Sequence, residues 1–361
     1  MRVSNITGAI RVIRIIWGIT IPVLAMMSLP NLYAQRYNET DALRIALIRA
    51  QAEADSLRYE LVRLSSQHGS TWDGLTGLEE DGEQMFAVVG KKAFENDNNR
   101  ELMSEVRAAC PSLGMIPFNA AIKQQIAIYS ETKRKMISYA IARYRSYLPD
   151  FKKSFDKYGV PEDIIALVIV ESAVSPRALS PVGAAGMWQL MPETAVRYGL
   201  RVDDYVDERY DPKPSCDAAA RYLKNAYTRY GDWSLAIASY NCGPGNVNRA
   251  IARAGKNANI WDVLQYLPAE TRNYYPSFIA ARYALTFSDF LDIPERTVTR
   301  PLLYRVSLPY EMNMQKLASE TGMDVEYIVS LNPHIKGDII PSFGCEIYLS
   351  KEGYQKLKSQ K

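Results

Sequence analysis

A glutamate stands directly after the most apolar run in the chain outside its N-terminal segment. Seven apolar residues, IIALVIV at 164–170, are followed by Glu171 and Ser172. Burial against apolar neighbours removes water from a carboxylate and raises the pKa of the acid. A carboxyl group with a raised pKa can stay protonated near neutral pH and act as a general acid. The run by itself also fits a glutamate at the solvent end of a buried helix, with its charge in water.

A turn-rich segment follows this glutamate. Residues 180–200, SPVGAAGMWQLMPETAVRYGL, place two glycines before Trp188, Gln189 and Met191. Glycine lets the backbone approach a ligand closely. A tryptophan beside an amide offers a flat apolar surface and hydrogen-bonding groups, which is what a sugar ring needs. The segment therefore predicts part of a carbohydrate-binding cleft.

Four motifs in a fixed order resemble those of the family 1 lytic transglycosylases, specifically the group similar to membrane-bound lytic murein transglycosylase D. The family pattern is Glu-Ser, then Gly-x-x-Gln, then Ala-Tyr-Asn-x-Gly, then Glu-Thr-x-x-Tyr. This chain has ES at 171–172, GMWQ at 186–189, SYNCG at 239–243 and ETRNY at 270–274. The resemblance extends over residues 118–290 and implies a lysozyme-like (SLT), mainly α catalytic domain.

The resemblance also implies a role for each motif residue. Glu171 is expected to be the single catalytic acid/base, and Ser172 to form hydrogen bonds near it and orient it. The side chains expected to line the cleft are Gln189, Met191, Tyr240 and Asn241. Glu270 and Tyr274 are expected to complete the wall around Glu171.

The reaction that the family resemblance implies needs only one carboxylate. Glu171 would protonate the oxygen of the β-1,4 bond between N-acetylmuramic acid and N-acetylglucosamine in peptidoglycan glycan strands. It would then take a proton from the C6 hydroxyl, which closes on C1 and leaves a 1,6-anhydro end. Ordinary glycosidases use two carboxylates. Two alternatives stay open: a lysozyme-type muramidase, which is a hydrolase, and a wall-binding protein without turnover.

The elements around the motifs are helical. Asn119 is a candidate N-cap, residues 133–155 have high helix propensity, and Pro192 is placed to open another helix. Strand signals are scarce over residues 118–290. We therefore expect a mainly α chain with four parts. A signal peptide at 1–34 is followed by an amphipathic helix with a linker at 35–83. The lysozyme-like domain follows at 84–290 (motif core 118–290), and a small α/β module with a tail at 291–361.

The N-terminal segment predicts an exported protein. Three arginines precede the apolar stretch at 15–29, and Ala34 is placed for cleavage of a signal peptide. An uncleaved anchor, which would attach the protein to the membrane, is the alternative; both place the protein in the periplasm or cell envelope. Residues 41–66 carry a heptad pattern. They form either an amphipathic helix that packs on its own domain or a short coiled coil through which the chain self-associates.

The charge balance and the metal-ligand inventory argue against several functions. Beyond residue 34 the chain has 40 basic and 40 acidic side chains, so the pI of about 8.5 does not indicate nucleic-acid binding. Two histidines and no Cys-x-x-Cys pair argue against a structural zinc site or a Ser-His-Asp triad. We expect no metal and no cofactor. The segment DDYVDERYDP at 203–212 fails calcium-loop spacing and is expected to be a solvated loop.

The C-terminal module has the order strand, helix, helix, strand. It faintly resembles a LysM peptidoglycan-binding domain over residues 304–350, although the Gly-Asp-Thr that usually follows the first strand is missing. We expect it to contribute wall affinity rather than chemistry, and whether it retains glycan binding is left open.

Two cysteines are unusual for the family that the chain resembles, whose members usually carry neither. Cys216 lies near the start of one predicted helix and Cys242 at the end of the next. An exported protein can oxidise such thiols. A disulfide bond between them would brace the 240–241 corner of the cleft; the alternative is two small buried thiols.

Overall fold

The computed structural model describes residues 97–117, 119–255 and 257–359. The predicted signal peptide, the heptad segment and the linker lie outside the described residues. Among the helices described, none combines the length and the apolar character needed to cross a membrane.

The larger part of the described chain is helical. Its helices form one apolar core, to which the first and last of them both contribute. Within the described residues these helices are α1 (Asp97–Ala109), α2 (Ala120–Ala127), α3 (Arg134–Tyr158), α4 (Leu167–Ser172), α5 (Pro192–Arg197), α6 (Pro212–Tyr230), α7 (Trp233–Cys242), α8 (Pro244–Ala254), α9 (Ile260–Val263) and α10 (Ala269–Thr286).

Polar side chains define where several of these helices begin. The predicted N-cap Asn119 accepts a hydrogen bond from the backbone N–H of Ala121 at 2.8 Å. Asp211 and Asp232 cap α6 and α7 in the same way. Such caps satisfy backbone N–H groups that have no partner inside the helix.

Helix α10 lies at the centre of the helical core. It packs against α1, α2, α4 and α7, and most of its residues from Tyr274 onward are buried. Tyr275 and Phe278 have no exposed surface, and the Tyr275 hydroxyl donates to Ser234 Oγ of α7 at 2.8 Å. These contacts fix the helix that carries Tyr274.

The C-terminal module has its own apolar core. Strand β1 (Tyr304–Leu308) pairs antiparallel with β4 (Cys345–Leu349), and β2 (Met312–Asn313) pairs with β3 (Ile339–Ile340). Helices α11 (Met314–Thr321) and α12 (Val325–Leu331) lie between these strands in sequence, and α13 (Lys351–Ser359) follows β4. The predicted fold class, mainly α with a small α/β module, is confirmed.

We expect Phe278→Ala to destabilise the helical domain by about 3–5 kcal/mol, because it removes a fully buried ring from the central helix and leaves a cavity. The matched control is Phe290→Ala, whose ring is 47% exposed, and which should cost much less. Denaturant unfolding followed by circular dichroism measures both variants. Equal losses of stability would contradict the central place given to α10.

Candidate active site

Glu171 lies in the last turn of α4, a helix whose other residues are largely buried. The run before it, residues 164–169, is almost completely shielded from solvent. Glu171 as a whole residue keeps some exposed surface, and the Tyr274 hydroxyl donates a hydrogen bond to the Oε1 of its carboxyl group. This carboxyl group therefore lies at the end of a buried apolar run, beside a tyrosine hydroxyl.

The pKa of Glu171 is raised from 4.5 to about 8. Desolvation by burial is the main cause; the hydrogen bond from Tyr274 opposes it, and the negative charge of Glu270 adds to it. Glu270 is itself exposed in the first turn of α10. The carboxyl group of Glu171 is thus protonated at neutral pH and can donate a proton.

Two tyrosines stand near this carboxyl group. Burial raises the pKa of both Tyr240 and Tyr274 well above the usual value, and the charge of Glu171 raises it further. Both therefore remain neutral phenols that can donate hydrogen bonds. The Tyr240 hydroxyl donates to the backbone carbonyl of Trp188 at 2.7 Å, so it fixes the backbone beside the cleft.

The backbone turns sharply after α4. Ala173 and Val174 have φ angles of 51° and 59°, and a β-branched residue is a rare occupant of this left-handed region. The hydroxyl of Ser172 stabilises the turn: it accepts from the Ser175 N–H at 3.1 Å and donates to the Met187 carbonyl at 2.7 Å. The bonds of this hydroxyl to backbone groups hold the residue next to Glu171 in place.

Residues 178–190, which we call the glycine loop, carry Gln189 at a φ of 46°. The Gln189 side-chain amide donates to the Gly186 carbonyl at 2.8 Å. Ala185 and Leu190 exchange backbone hydrogen bonds of 3.1 and 3.2 Å, which closes the loop into a tight turn. The loop therefore holds Gln189 through its own backbone.

Trp188 lies in the core and is not a sugar platform. The indole ring has no exposed surface, and its centroid lies 5.2 Å from that of Phe151 and 5.4 Å from that of Phe155 on α3. The expectation of a flat exposed tryptophan surface was wrong, because the turn after Gly186 directs this side chain inward.

A cleft of about 410 Å³ brings together four of the predicted residues: Gln189, Met191, Tyr240 and Asn241. Met191 is 42% exposed there and offers a flexible apolar side chain. The Asn241 Oδ1 accepts from the Thr271 hydroxyl at 2.7 Å, which leaves the amide NH₂ group to donate to a ligand. Tyr240, which lines this cleft, also lies within electrostatic reach of Glu171 and Tyr274.

A buried ion pair between Arg209 and Asp207 supports the glycine loop, and the sequence analysis did not predict it. Arg209 Nη2 lies 2.7 Å from Asp207 Oδ2, and both side chains are less than a tenth exposed. Arg209 also donates to the carbonyls of Gly183 and Leu190. The segment 203–212 is therefore not a solvated loop.

Of the two alternatives left open for Cys216 and Cys242, the structure has the free thiols and not the disulfide bond; Cys216 is buried, and Cys242 is only partly buried. Cys216 is buried within hydrogen-bonding reach of Ser154 on α3. The Cys242 thiol donates instead to the Ala238 carbonyl of its own helix at 3.3 Å. The two sulfur atoms therefore have different neighbours.

Comparison with known proteins matches both parts of the chain. Residues 150–262 match the family model of the transglycosylase SLT domain. Residues 303–361 match the model of the LysM-like domain of lytic transglycosylase MltD. The predicted resemblance, the SLT fold and the LysM-like module are confirmed.

Several lytic transglycosylases are similar in sequence. Membrane-bound lytic murein transglycosylase D of Escherichia coli K12 is 32% identical over 235 residues, which cover 63% of this chain and 51% of the relative. Membrane-bound lytic murein transglycosylase F of Alcanivorax borkumensis is 26% identical, with coverage of 63% and 56%. The chain thus spans about half the length of these relatives. The solved 70 kDa soluble lytic transglycosylase of Escherichia coli aligns over 54% of this chain and 33% of its own, with 19% identity and a TM-score of 0.36, too low to support a conclusion.

Gly186 should tolerate no side chain. A Cβ atom there would lie 1.8 Å from the Arg209 carbonyl oxygen, and the residue has a φ of 77°. We expect Gly186→Ala to cost about 3 kcal/mol or more of stability, because the glycine loop must move. Gly183→Ala is the matched control: its φ is 87°, but no atom lies within 4 Å of the added Cβ, so it should cost only about 1 kcal/mol. Thermal unfolding compares them, and similar costs would contradict the close contact.

Glu171 should make folding stability depend on pH. Between pH 4.5 and 8 the folded protein holds a proton that the unfolded chain has released. The stability linked to this proton is therefore fully present below pH 4.5 and is lost as the pH rises to 8. Glu171→Gln does not titrate, so its stability relative to wild type should rise across this range, by about 4 kcal/mol.

Chemical denaturation at a series of pH values measures this difference. Glu193→Gln, which alters an exposed glutamate of α5, is the control and should show no such trend. A constant difference between Glu171→Gln and wild type would contradict the raised pKa.

Proposed function

We propose that this protein is a peptidoglycan lytic transglycosylase, which cleaves the bond between N-acetylmuramic acid and N-acetylglucosamine and leaves 1,6-anhydro ends. The observation that carries the proposal is the protonated Glu171 beside Tyr274 within an SLT domain. The names of the similar proteins support the same activity. The proposed location is the periplasm or cell envelope, where peptidoglycan lies.

In the first step Glu171 acts as a general acid. Its proton passes to the bridging oxygen as the bond to C1 of N-acetylmuramic acid breaks, and the N-acetylglucosamine part leaves as an alcohol. The positive charge that develops at C1 is stabilised by the acetamido group of the same sugar. A pKa of about 8 keeps the carboxyl group of Glu171 protonated at neutral pH.

In the second step Glu171 acts as a base. Its carboxylate, which accepts the Tyr274 hydrogen bond, takes the proton of the C6 hydroxyl. The C6 oxygen bonds to C1 and closes the 1,6-anhydro ring, so no water is consumed and the enzyme returns to its protonated form. Because the nucleophile belongs to the same sugar, the step is intramolecular and gains from proximity.

The cleft residues would bind and orient the glycan strand. The Asn241 amide can donate to an acetyl carbonyl, and Met191 offers an apolar surface for a sugar ring. Gln189 and Ser172 act through the backbone of the glycine loop and the turn after α4. Glu270 supplies charge near Glu171, and Tyr240 connects the two parts of the site.

Digestion of purified glycan strands followed by mass spectrometry of the product ends tests this function. We expect 1,6-anhydro ends from the wild type and a loss of at least about 10³-fold in their release by Glu171→Gln. Glu193→Gln is the matched control and should keep wild-type rates, because this glutamate is exposed on α5.

Two outcomes would overturn the proposal in different ways. Reducing ends in place of anhydro ends would show a hydrolase of the muramidase type. Binding to cell wall without any product from the wild type would show a wall-binding protein.

A further inference from the structure

Residues 205–207, within the segment 203–211, pair with the C-terminal module through backbone hydrogen bonds. Val206 is 1% exposed and lies in the apolar core of the module. Its backbone forms an antiparallel bridge with Ile335, and the next residue, Asp207, donates its N–H to the His334 carbonyl at 2.8 Å. The module is therefore completed by a residue of the helical domain.

Side chains extend this interface on both sides. The Tyr348 hydroxyl of β4 donates to the two carboxylate oxygens of Asp211, at 2.8 and 3.0 Å, and Asp211 is 3% exposed. Arg201 donates to the Gly344 carbonyl at 3.0 Å and stacks 3.8 Å from the centre of the Phe343 ring. Buried polar partners of this kind are expensive to separate, because each would be left unsatisfied.

The same segment holds the glycine loop through its other side. Asp207 orients Arg209 by two hydrogen bonds, of 2.9 and 2.7 Å. Arg209 then donates to the carbonyls of Gly183 at 2.6 Å and Leu190 at 3.1 Å. Its own carbonyl lies where a Cβ of Gly186 would be. One short segment thus contacts the module on one side and the candidate active site on the other.

We propose that the C-terminal module positions the glycine loop and is a structural part of the active site, with Tyr348 of the module and Val206 of the helical domain as the positioning residues at their interface. The contacts run from the module through Asp207 and Arg209 to the loop that carries Gln189. The loop continues the connection, because the Met187 carbonyl accepts the hydroxyl of Ser172 next to Glu171. The catalytic consequence rests on the proposed function; the mechanical link does not.

A module that served only as a wall tether would behave differently. Weakening its contact with residues 203–211 would leave the glycine loop and the turnover of short soluble strands unchanged. Only binding to insoluble wall would respond. A change at the module interface therefore alters the glycine loop and turnover if the module positions the loop, and alters only wall binding if the module is a tether.

The first test measures hydrogen exchange in the full-length chain, without any substrate. Tyr348→Phe removes the hydroxyl that bonds Asp211 and keeps the ring. Tyr354→Phe is the matched control, since its ring stacks on Tyr304 inside the module. We expect the loop amides of Ala185, Gly186 and Leu190, all hydrogen-bonded in the loop, to exchange about tenfold faster in Tyr348→Phe only.

The second test separates kcat from KM on soluble glycan strands. Tyr348→Phe should lower kcat at least about fivefold with KM nearly unchanged, because catalytic geometry is disturbed while the cleft surface remains. Val206→Ala repeats the test from the helical side of the interface. Sedimentation with insoluble wall should stay at the wild-type level for both variants.

Unchanged loop exchange in both Tyr348→Phe and Val206→Ala would overturn the inference. So would a variant with faster loop exchange and wild-type kcat, because the module would then stabilise the loop without any effect of the loop on catalysis. If the wild type itself releases no product, the proposed function fails, and the exchange experiment still decides whether the module holds the loop.

Discussion

The carboxyl group of Glu171 is held at the end of an apolar helix, and the rest of the site depends on this placement. Burial raises its pKa to about 8, so the folded protein keeps a proton that the unfolded chain would release. This arrangement destabilises the fold above pH 4.5 and must be offset by the packed core around α4 and α10. The same burial provides an acid near neutral pH, and the Tyr274 hydrogen bond limits how far the pKa rises.

A second constraint concerns backbone rather than charge. The glycine loop reaches its shape because Gly186 approaches the Arg209 carbonyl too closely for any other residue, and because Arg209 binds two of the loop's carbonyls. The loop in turn binds Ser172 and, through the Trp188 carbonyl, Tyr240. The groups around the carboxyl are thus fixed by hydrogen bonds to backbone, which leaves few ways to move one of them alone.

Local patterns allowed the sequence to predict the helices, the apolar run before Glu171, and two helices between two strands in the module. The short strands β2 and β3 and the final helix α13 were missed, because two-residue strands carry no alternating pattern. The cleft positions of Met191 and Asn241 followed from a family resemblance rather than from local pattern. The burial of Trp188, Asp207 and Arg209 could not be predicted, since it depends on partners distant in sequence: Trp188 packs on α3, and Arg209 binds the glycine loop. The state of Cys216 and Cys242 could not be predicted either, because the order of the helices does not determine which way a thiol points.

The most direct measurement is the titration of the Glu171 carboxyl group itself. Carbon-13 NMR of the wild type, with Glu171→Gln used to assign the signal, reports its protonation state across the pH range without substrate. The structure predicts an apparent pKa near 8, with the proton still bound at neutral pH. A pKa near the ordinary value of 4.5 would contradict the account, because Glu171 would then carry no proton to donate.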